Sequence, residues 1–79
     1  MFEFTLSPID PEMEYATVTR WLKREGERVR AGETIVEVEA EKVNYELEAP
    51  VSGVLDSIVA VDGDEIKVGA TLAMIDESA

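Results

Sequence analysis

The sequence predicts an all-β domain, a flattened β-barrel or sandwich of two small antiparallel sheets related by an internal pseudo-two-fold axis (a barrel-sandwich hybrid). Three observations predict this fold. Apolar residues recur with a period of two, turn residues interrupt them about every 8–12 positions, and one segment is repeated after 37 residues. With 79 residues, positions 1–79 are expected to form a single small domain.

The strands follow from the apolar pattern in chain order. Phe2, Phe4 and Leu6 alternate with polar residues, which predicts the first strand. Residues 15–22 are rich in β-branched and aromatic side chains and predict the second. Gly26 interrupts the only short helical pattern, so no helix longer than one turn is expected. Later strands are predicted in 35–40, 43–48, 54–59 and 72–75.

Two segments are predicted to lie outside the strands. Pro8 and Pro11 cannot donate to a strand ladder, so residues 7–14 are expected to form an exposed loop between the first two strands. Two interpretations of this loop stay open. It is a purely structural connection, or it lies beside Lys42 and helps a partner enzyme choose its domain. Residues 76–79 are predicted to begin a linker or a frayed tail.

The chain contains an internal repeat, in which GERVRAGETI (residues 26–35) aligns with GDEIKVGATL (residues 63–72). Two such units are expected to face each other across the pseudo-two-fold axis, each half giving one small sheet. The same offset maps Lys42 onto position 79, so the lysine and the termini are predicted to lie at opposite ends. Structural turns are assigned to the glycines, which adopt positive φ without steric cost: Gly26, Gly32, Gly53, Gly63 and Gly69.

The stretch VEAEKVNYELEAP, residues 38–50, predicts a β-hairpin with Glu41 and Lys42 as its two loop residues. Opposed positions then sum to 83, which places apolar pairs on one face and Glu39 opposite Asn44 on the other. The loop has no glycine or asparagine, so a type I turn is predicted in preference to a primed turn. Lys42 is expected to project from the tip, where an ordinary solvated charge is an alternative to any functional role.

Composition excludes several classes of function. The chain has no histidine and no cysteine, so a serine–histidine or cysteine–histidine triad and a thiolate metal site are impossible. No catalytic residue and no metal ligand is predicted. The net charge of −11 argues against nucleic-acid binding. No apolar run is long enough to cross a bilayer and no signal segment is recognised. We therefore expect no membrane partner.

Five of the seven basic side chains lie between residues 20 and 30. One interpretation is a solvated surface, salt-bridged to the many glutamates. The other is a docking patch for a partner subunit. Trp21, in the same stretch, is predicted to pack in the core or at a strand edge rather than to bind a ligand.

The stretch around Lys42 resembles the modification hairpin of lipoyl domains, the carrier modules of 2-oxo acid dehydrogenase complexes. The motif is EAEKV, residues 39–43. Gly32 lies ten residues before Lys42 and Gly53 eleven after it, which is similar to the nearly equal glycine spacing of that family. The two copies of the repeat resemble the symmetry-related turns of the family, and the resemblance extends from about residue 4 to residue 76.

This resemblance implies that Lys42 is joined through an amide to lipoic acid, which supplies the chemistry. Glu39, Glu41 and Val43 match positions by which a lipoate ligase or a lipoyl/octanoyl transferase would recognise its target. The domain would be a non-catalytic carrier within a dihydrolipoyl acyltransferase chain, moving acyl groups and electrons on a swinging arm. Its partners would be the 2-oxo acid dehydrogenase, the acyltransferase catalytic domain and dihydrolipoyl dehydrogenase. The expected location is the cytoplasm, or the mitochondrial matrix in a eukaryote.

Two alternatives stay open. Biotin carrier domains of carboxylases share this fold and duplication, with biotin in place of lipoic acid. Their lysine usually lies between two methionines, whereas Glu41 and Val43 flank Lys42 here, which favours the lipoyl assignment. The second alternative is an interaction module of the same fold whose lysine carries no group.

Overall fold

The chain folds into two four-stranded antiparallel sheets, and a computed structural model describes all 79 residues. The strands are β1 (Phe2–Thr5), β2 (Tyr15–Trp21), β3 (Arg28–Val29), β4 (Thr34–Ala40), β5 (Val43–Glu48), β6 (Gly53–Ile58), β7 (Glu65–Lys67) and β8 (Thr71–Asp76). One sheet has the order β1-β8-β6-β3 and the other the order β5-β4-β2-β7. The predicted all-β sandwich is confirmed. No helix in the structure could span a membrane.

Each sheet takes two strands from each half of the repeat. The first sheet joins β1 and β3 to β6 and β8, and the second joins β2 and β4 to β5 and β7. The prediction that each half forms its own sheet is therefore wrong. The chain changes sheet at every connection except the β4–β5 hairpin, so the halves interlock around one core. A half of roughly 40 residues would be too small to bury a sufficient core alone.

The repeat extends to the register of the strands. Val18 pairs with Val38, and the pair 37 residues later is Leu55 with Ile75. The β2–β4 ladder contains a bulge after Val18, and the β6–β8 ladder contains the equivalent bulge after Leu55. Bulges increase local strand twist. The pseudo-two-fold relation therefore includes the irregularities of the sheets as well as their strand order.

Seventeen buried apolar residues form one core between the sheets, and no polar or charged side chain is buried. Repeat-related residues occupy equivalent places in it, as Ile35 and Leu72 do, both fully buried. Burying an aliphatic side chain of this size contributes about 1.5–3 kcal/mol. Because both halves supply residues to this one core, neither half alone can bury its own apolar residues.

The glycines have two different structural roles. The four in the repeated turns, Gly26, Gly32, Gly63 and Gly69, have φ between 90° and 95°. Gly53, assigned to a turn from the sequence, instead begins strand β6 and pairs with Val29. A Cβ there would lie 2.9 Å from the carbonyl carbon of Asp76 and closer still to its oxygen. Gly53 is therefore needed for the close approach of β8 and not for a turn.

The two termini lie together on a part of the surface separate from Lys42. Phe2 pairs with Ile75, and Arg28 Nη1 donates to the carbonyl oxygen of Ala79 (3.3 Å). Strand β8 includes Asp76, the first residue of the predicted tail. Lys42, in contrast, lies at the outer end of the β4–β5 hairpin in the other sheet.

Candidate functional site

The β4–β5 hairpin has the register that the alternation of polar and apolar residues predicts. Ala40 pairs with Val43 and Glu39 with Asn44, and the pairs keep the same sum as far as Val36 with Leu47, beyond which the register shifts by one residue. On the inner face, the β4 residues Val36, Val38 and Ala40 are buried, whereas their β5 partners are more exposed. β5 is an edge strand, so its side of the hairpin is reached from solvent.

The turn at the tip is of the primed type, and the predicted type I turn is wrong. Glu41 has a φ of 52° and Lys42 a φ of 62°. Positive φ at both loop residues is the signature of a type I′ turn, whose twist matches that of the flanking strands. Neither residue is glycine or asparagine, and a left-handed conformation costs about 1–2 kcal/mol for an ordinary side chain. The ladder of paired β4–β5 residues offsets that cost, so strand geometry overrides local residue preference.

Lys42 is exposed and free of partners at this tip. The two ion pairs of the domain join Arg20 to Glu37 and Lys23 to Glu33, and neither involves Lys42. No side-chain hydrogen bond holds its amine either. A primary amine on a four-carbon stem, presented on a two-residue turn, is accessible to an enzyme that forms an amide bond. The residues present therefore fit a covalently attached carboxylic acid such as lipoic acid.

Acidic side chains lie beside the tip, on β4 and in the turn. Glu39 and Glu41 are exposed next to Lys42, and Val43 on its other side is 48% exposed. The structure thus brings together all four residues that sequence reasoning assigned to modification. Because these side chains are solvated, they present charge to a partner without a cost in buried polar groups.

Further along the hairpin, Glu37 and Glu46 face each other, as the register predicts. Like charges opposite one another are destabilising. Arg20 on the neighbouring strand β2 lies 3.1 Å from Glu37, measured from Nε to Oε1. This pair offsets the repulsion, although an exposed ion pair contributes only about 0–1 kcal/mol.

The loop between β1 and β2 lies beside the tip, as the second of its two interpretations expects. A cleft of about 200 Å³ separates the two, and it is lined by Asp10, Glu12, Met13, Ala40, Glu41 and Tyr45. The loop is held by a local turn, in which Asp10 accepts hydrogen bonds from the backbone of Glu12 and Met13. Its contribution to partner choice stays a prediction.

Sequence reasoning missed Met13 and Tyr45 as residues of this cleft. Met13 is buried at 7% exposure, and it anchors the acidic loop to the core. The available signal was its isolation as an apolar residue between Glu12 and Glu14. Methionine is among the residue types most often buried, which favours a loop that folds back onto the domain.

Both the sequence and the fold of this chain match known proteins. The biotin/lipoyl family model, described as "Biotin-requiring enzyme", matches residues 3–75. In solved structures, the fold is similar to the lipoyl domain of the 2-oxoglutarate dehydrogenase complex from Azotobacter vinelandii. The TM-score is 0.77 and the identity 35%, over 96% of this chain and 98% of the other. This chain belongs to the biotin/lipoyl family as a lipoyl domain. Biotin carrier domains are the less supported alternative.

Two curated relatives are similar to this lipoyl domain. The acetyltransferase component of the pyruvate dehydrogenase complex from Acholeplasma laidlawii is 42% identical over 98% of the chain. The succinyltransferase component of the 2-oxoglutarate dehydrogenase complex from Bacillus subtilis (strain 168) is 37% identical over 100% of the chain. The lipoyl domain spans only 14% and 19% of these two relatives. As a lipoyl domain, it is a carrier domain.

Proposed function

We propose that Lys42 is the attachment point of lipoic acid, and that the modified hairpin carries acyl groups and electrons between the active sites of a 2-oxo acid dehydrogenase complex. The observation that carries this proposal is the position of Lys42. It is an exposed, unpaired lysine at the tip of a type I′ hairpin, preceded by Glu39 and Glu41, in a lipoyl-domain fold.

Lipoic acid bound through an amide to Lys42 would supply a dithiolane that accepts an acyl group together with two electrons. The chain itself supplies presentation and recognition. The turn exposes the Lys42 side chain, and Glu39, Glu41 and Val43 provide the contact surface for a lipoate ligase or a lipoyl/octanoyl transferase. Amide formation removes the positive charge of Lys42, so the tip becomes more acidic and better suited to basic rims around partner active sites.

The partners follow from the same proposal. The two relatives are components of a pyruvate and a 2-oxoglutarate dehydrogenase complex. They support a parent chain of the dihydrolipoyl acyltransferase class, with the dehydrogenase, the acyltransferase catalytic domain and dihydrolipoyl dehydrogenase as successive partners. The proposed location is the cytoplasm, or the mitochondrial matrix in a eukaryotic cell.

Intact-mass analysis after co-expression with a lipoate ligase in the presence of lipoic acid tests the proposal. One lipoyl adduct is expected on the wild-type domain and none on Lys42→Gln. Lys67→Gln is the matched control, because Lys67 is also exposed in the same sheet but lies on β7. The control should be modified as fully as the wild type.

Two results would contradict the proposal. A biotin adduct after co-expression with a biotin ligase, with no lipoyl adduct, would assign the domain to biotin carriers. If Lys42 stays unmodified in the presence of an active ligase, the remaining assignment is an interaction module whose lysine carries no group. Circular dichroism of Lys42→Gln should match the wild type, because Lys42 makes no contact on which the fold depends.

A further inference from the structure

The cleft beside the tip begins one residue away from Lys42. Glu41, which precedes Lys42 in the turn, lines the cleft, and so does Ala40 at the end of β4. Val43, which follows Lys42, pairs with Ala40 and is 48% exposed. The chain neighbours of Lys42 on both sides therefore lead to the cleft, and a group attached to the Lys42 amine starts from its edge.

The least exposed part of the cleft lining is apolar. It consists of Met13 from the loop, Ala40 from β4 and Tyr45 from β5. Met13 and Ala40 are each 7% exposed, and Tyr45 is half-buried. Divalent sulfur packs favourably against aromatic rings, so a sulfur-containing group finds a suitable neighbour in Tyr45.

The size of the cleft suits a fragment rather than a whole ligand. Its volume is about 200 Å³, whereas small-molecule sites commonly have volumes of about 300–1,000 Å³. The dithiolane ring of lipoic acid is a fragment of this kind. Because a fragment has few atoms with which to offset the entropy cost of association, it binds weakly unless it is already held beside its site.

The charged residues that line the cleft are all acidic. They are Asp10, Glu12 and Glu41, and all three are exposed. They disfavour an anionic occupant, but a neutral one can enter without stripping water from them. The dithiolane is neutral, and so is Lys42 once its amine has become an amide. A cationic side chain of a partner would also match the charge, but it lacks the covalent tether at the edge of the cleft that the group on Lys42 has.

We infer that this cleft receives the dithiolane end of the lipoyl group on Lys42, so that the modified arm folds back onto the domain between its visits to partner sites. This inference rests on the proposed attachment at Lys42. A short flexible tether gives an effective concentration of about 1 mM. A fragment with a Kd of about 1 mM would then occupy the cleft about half of the time, and the loop of residues 7–14 would set the fraction of the arm that is free.

Nuclear Overhauser contacts in the isotope-labelled domain test the inference. One sample is lipoylated at Lys42 by a lipoate ligase, and in a second sample Lys42→Cys is alkylated with an iodoacetamide derivative of lipoamide. The chain has no cysteine of its own, so this reagent has a single thiol to modify. Contacts from the dithiolane protons to the Met13 methyl group and the Tyr45 ring are expected in both samples. Lys42→Cys alkylated with plain iodoacetamide is the control, and it should shift the Met13 and Tyr45 resonances less.

The rate at which dithiothreitol reduces the tethered disulfide gives a second measurement. Reduction should be about twofold slower in the wild type than in Tyr45→Gln, because a cleft occupied half of the time shields half of the arms. Leu47→Gln is the matched control, since Leu47 is the next inward-facing residue of β5, is half-buried like Tyr45 and lies outside the cleft. It should be reduced at the wild-type rate. The contacts in the wild-type domain decide the question even if neither variant folds.

Several outcomes would overturn the inference. Modified samples without the two contacts would reject it, and so would equal effects of Tyr45→Gln and Leu47→Gln on reduction. Contacts found only between labelled and unlabelled molecules in a mixed sample would assign the occupant to a second copy of the chain. Saturable binding of N-acetyl-lysine amide in the cleft, lost in Glu12→Gln and without any dithiolane contact, would assign the cleft to a cationic partner.

The two samples also separate this inference from the carrier function. If the ligase leaves Lys42 unmodified but the alkylated Lys42→Cys shows the contacts, the carrier function fails and the affinity of the cleft for a dithiolane stands. If Lys42 is lipoylated and neither sample shows the contacts, the carrier function stands and the cleft has no role in holding the arm.

Discussion

Glu33 Oε1 lies 3.1 Å from the backbone nitrogen of Arg30, three residues earlier in the turn that contains Gly32. In the same turn the backbone nitrogen of Glu33 donates to the carbonyl oxygen of Arg30. Glu33 therefore makes two hydrogen bonds to the backbone of Arg30, one through its side chain and one through its own backbone. Two other turns repeat the arrangement, with Glu27 and Arg24 in one and Asp64 and Val61 in the other.

The fourth turn lacks this acid, which gives the first prediction. Ala70 donates its backbone N–H to Lys67 as the other turns do, but no side-chain oxygen accepts from the Lys67 backbone. Ala70→Glu should supply that acceptor and raise the free energy of unfolding by about 0.5–1.5 kcal/mol. The measurement is urea denaturation at neutral pH. Ala70→Met is the control, because it adds a chain of similar length without an oxygen, and an equal gain from it would reject the explanation.

The hydrogen bond from the backbone N–H of Arg30 to the Glu33 carboxylate predicts how the stability of the domain depends on pH. The backbone N–H of Arg30, followed by the Lys23 side chain, lowers the pKa of Glu33 below its ordinary value of 4.5. The charged form is therefore favoured in the folded state. This contribution is fully present above pH about 4.5 and is lost as the pH falls through the lowered pKa.

Glu33→Gln should accordingly show a smaller loss of stability than the wild type on acidification from pH 6 to pH 3, measured by the urea midpoint. The matched control is Glu77→Gln, which removes the same charge from an exposed residue without a side-chain hydrogen bond. If both variants reduce the loss of stability between pH 6 and pH 3 by the same amount, general charge repulsion is responsible and the hydrogen bond in the turn is not.

Gly53 predicts a large effect from a single added methyl group. A Cβ on Gly53 would overlap the carbonyl group of Asp76 on the paired strand β8, and backbone atoms cannot move aside cheaply. Gly53→Ala should lower the free energy of unfolding by about 1–3 kcal/mol. Asp56→Ala, at an exposed position of the same strand, should change it by less than about 0.5 kcal/mol. Similar effects of the two variants would show that the strands separate to admit the methyl group.

Sequence patterns predicted the hairpin better than the sheets. The pairing of Val38 with Tyr45 follows from which residues are apolar, since a slip of one residue would expose them. The strands that pair with β3 and β7 could not be predicted. The sequence pattern around Val29 and Ile66 indicates that these residues are buried, but it does not indicate to which sheet their strands belong. The turn type was missed for a related reason, since strand twist at the tip is a property of the paired ladder.

The cleft beside the tip was only partly predictable. The prolines identify residues 7–14 as a loop, but its position depends on a tertiary contact, the burial of Met13. The acidic residues near Lys42 were found because they are neighbours in the chain. The groove lined by Trp21, Ile58 and Val61, between the two halves of the repeat, brings together residues about 37 positions apart in the chain, and no local pattern indicates it.

The last prediction concerns Glu41, which affects the stability of the hairpin through its backbone conformation and the proposed recognition by the modifying enzyme through its charge. Its φ of 52° is unfavourable for a side chain with a Cβ, so Glu41→Gly should raise the free energy of unfolding by about 0.5–1 kcal/mol. The same change removes an acid proposed to guide the modifying enzyme, so the rate of lipoylation by a lipoate ligase should fall. Glu41→Gln keeps the Cβ and removes the charge, so it should slow lipoylation without a gain in stability. Slower lipoylation of Glu41→Gly alone would mean that the enzyme reads the geometry of the turn, and unchanged rates in both variants would remove Glu41 from the recognition surface.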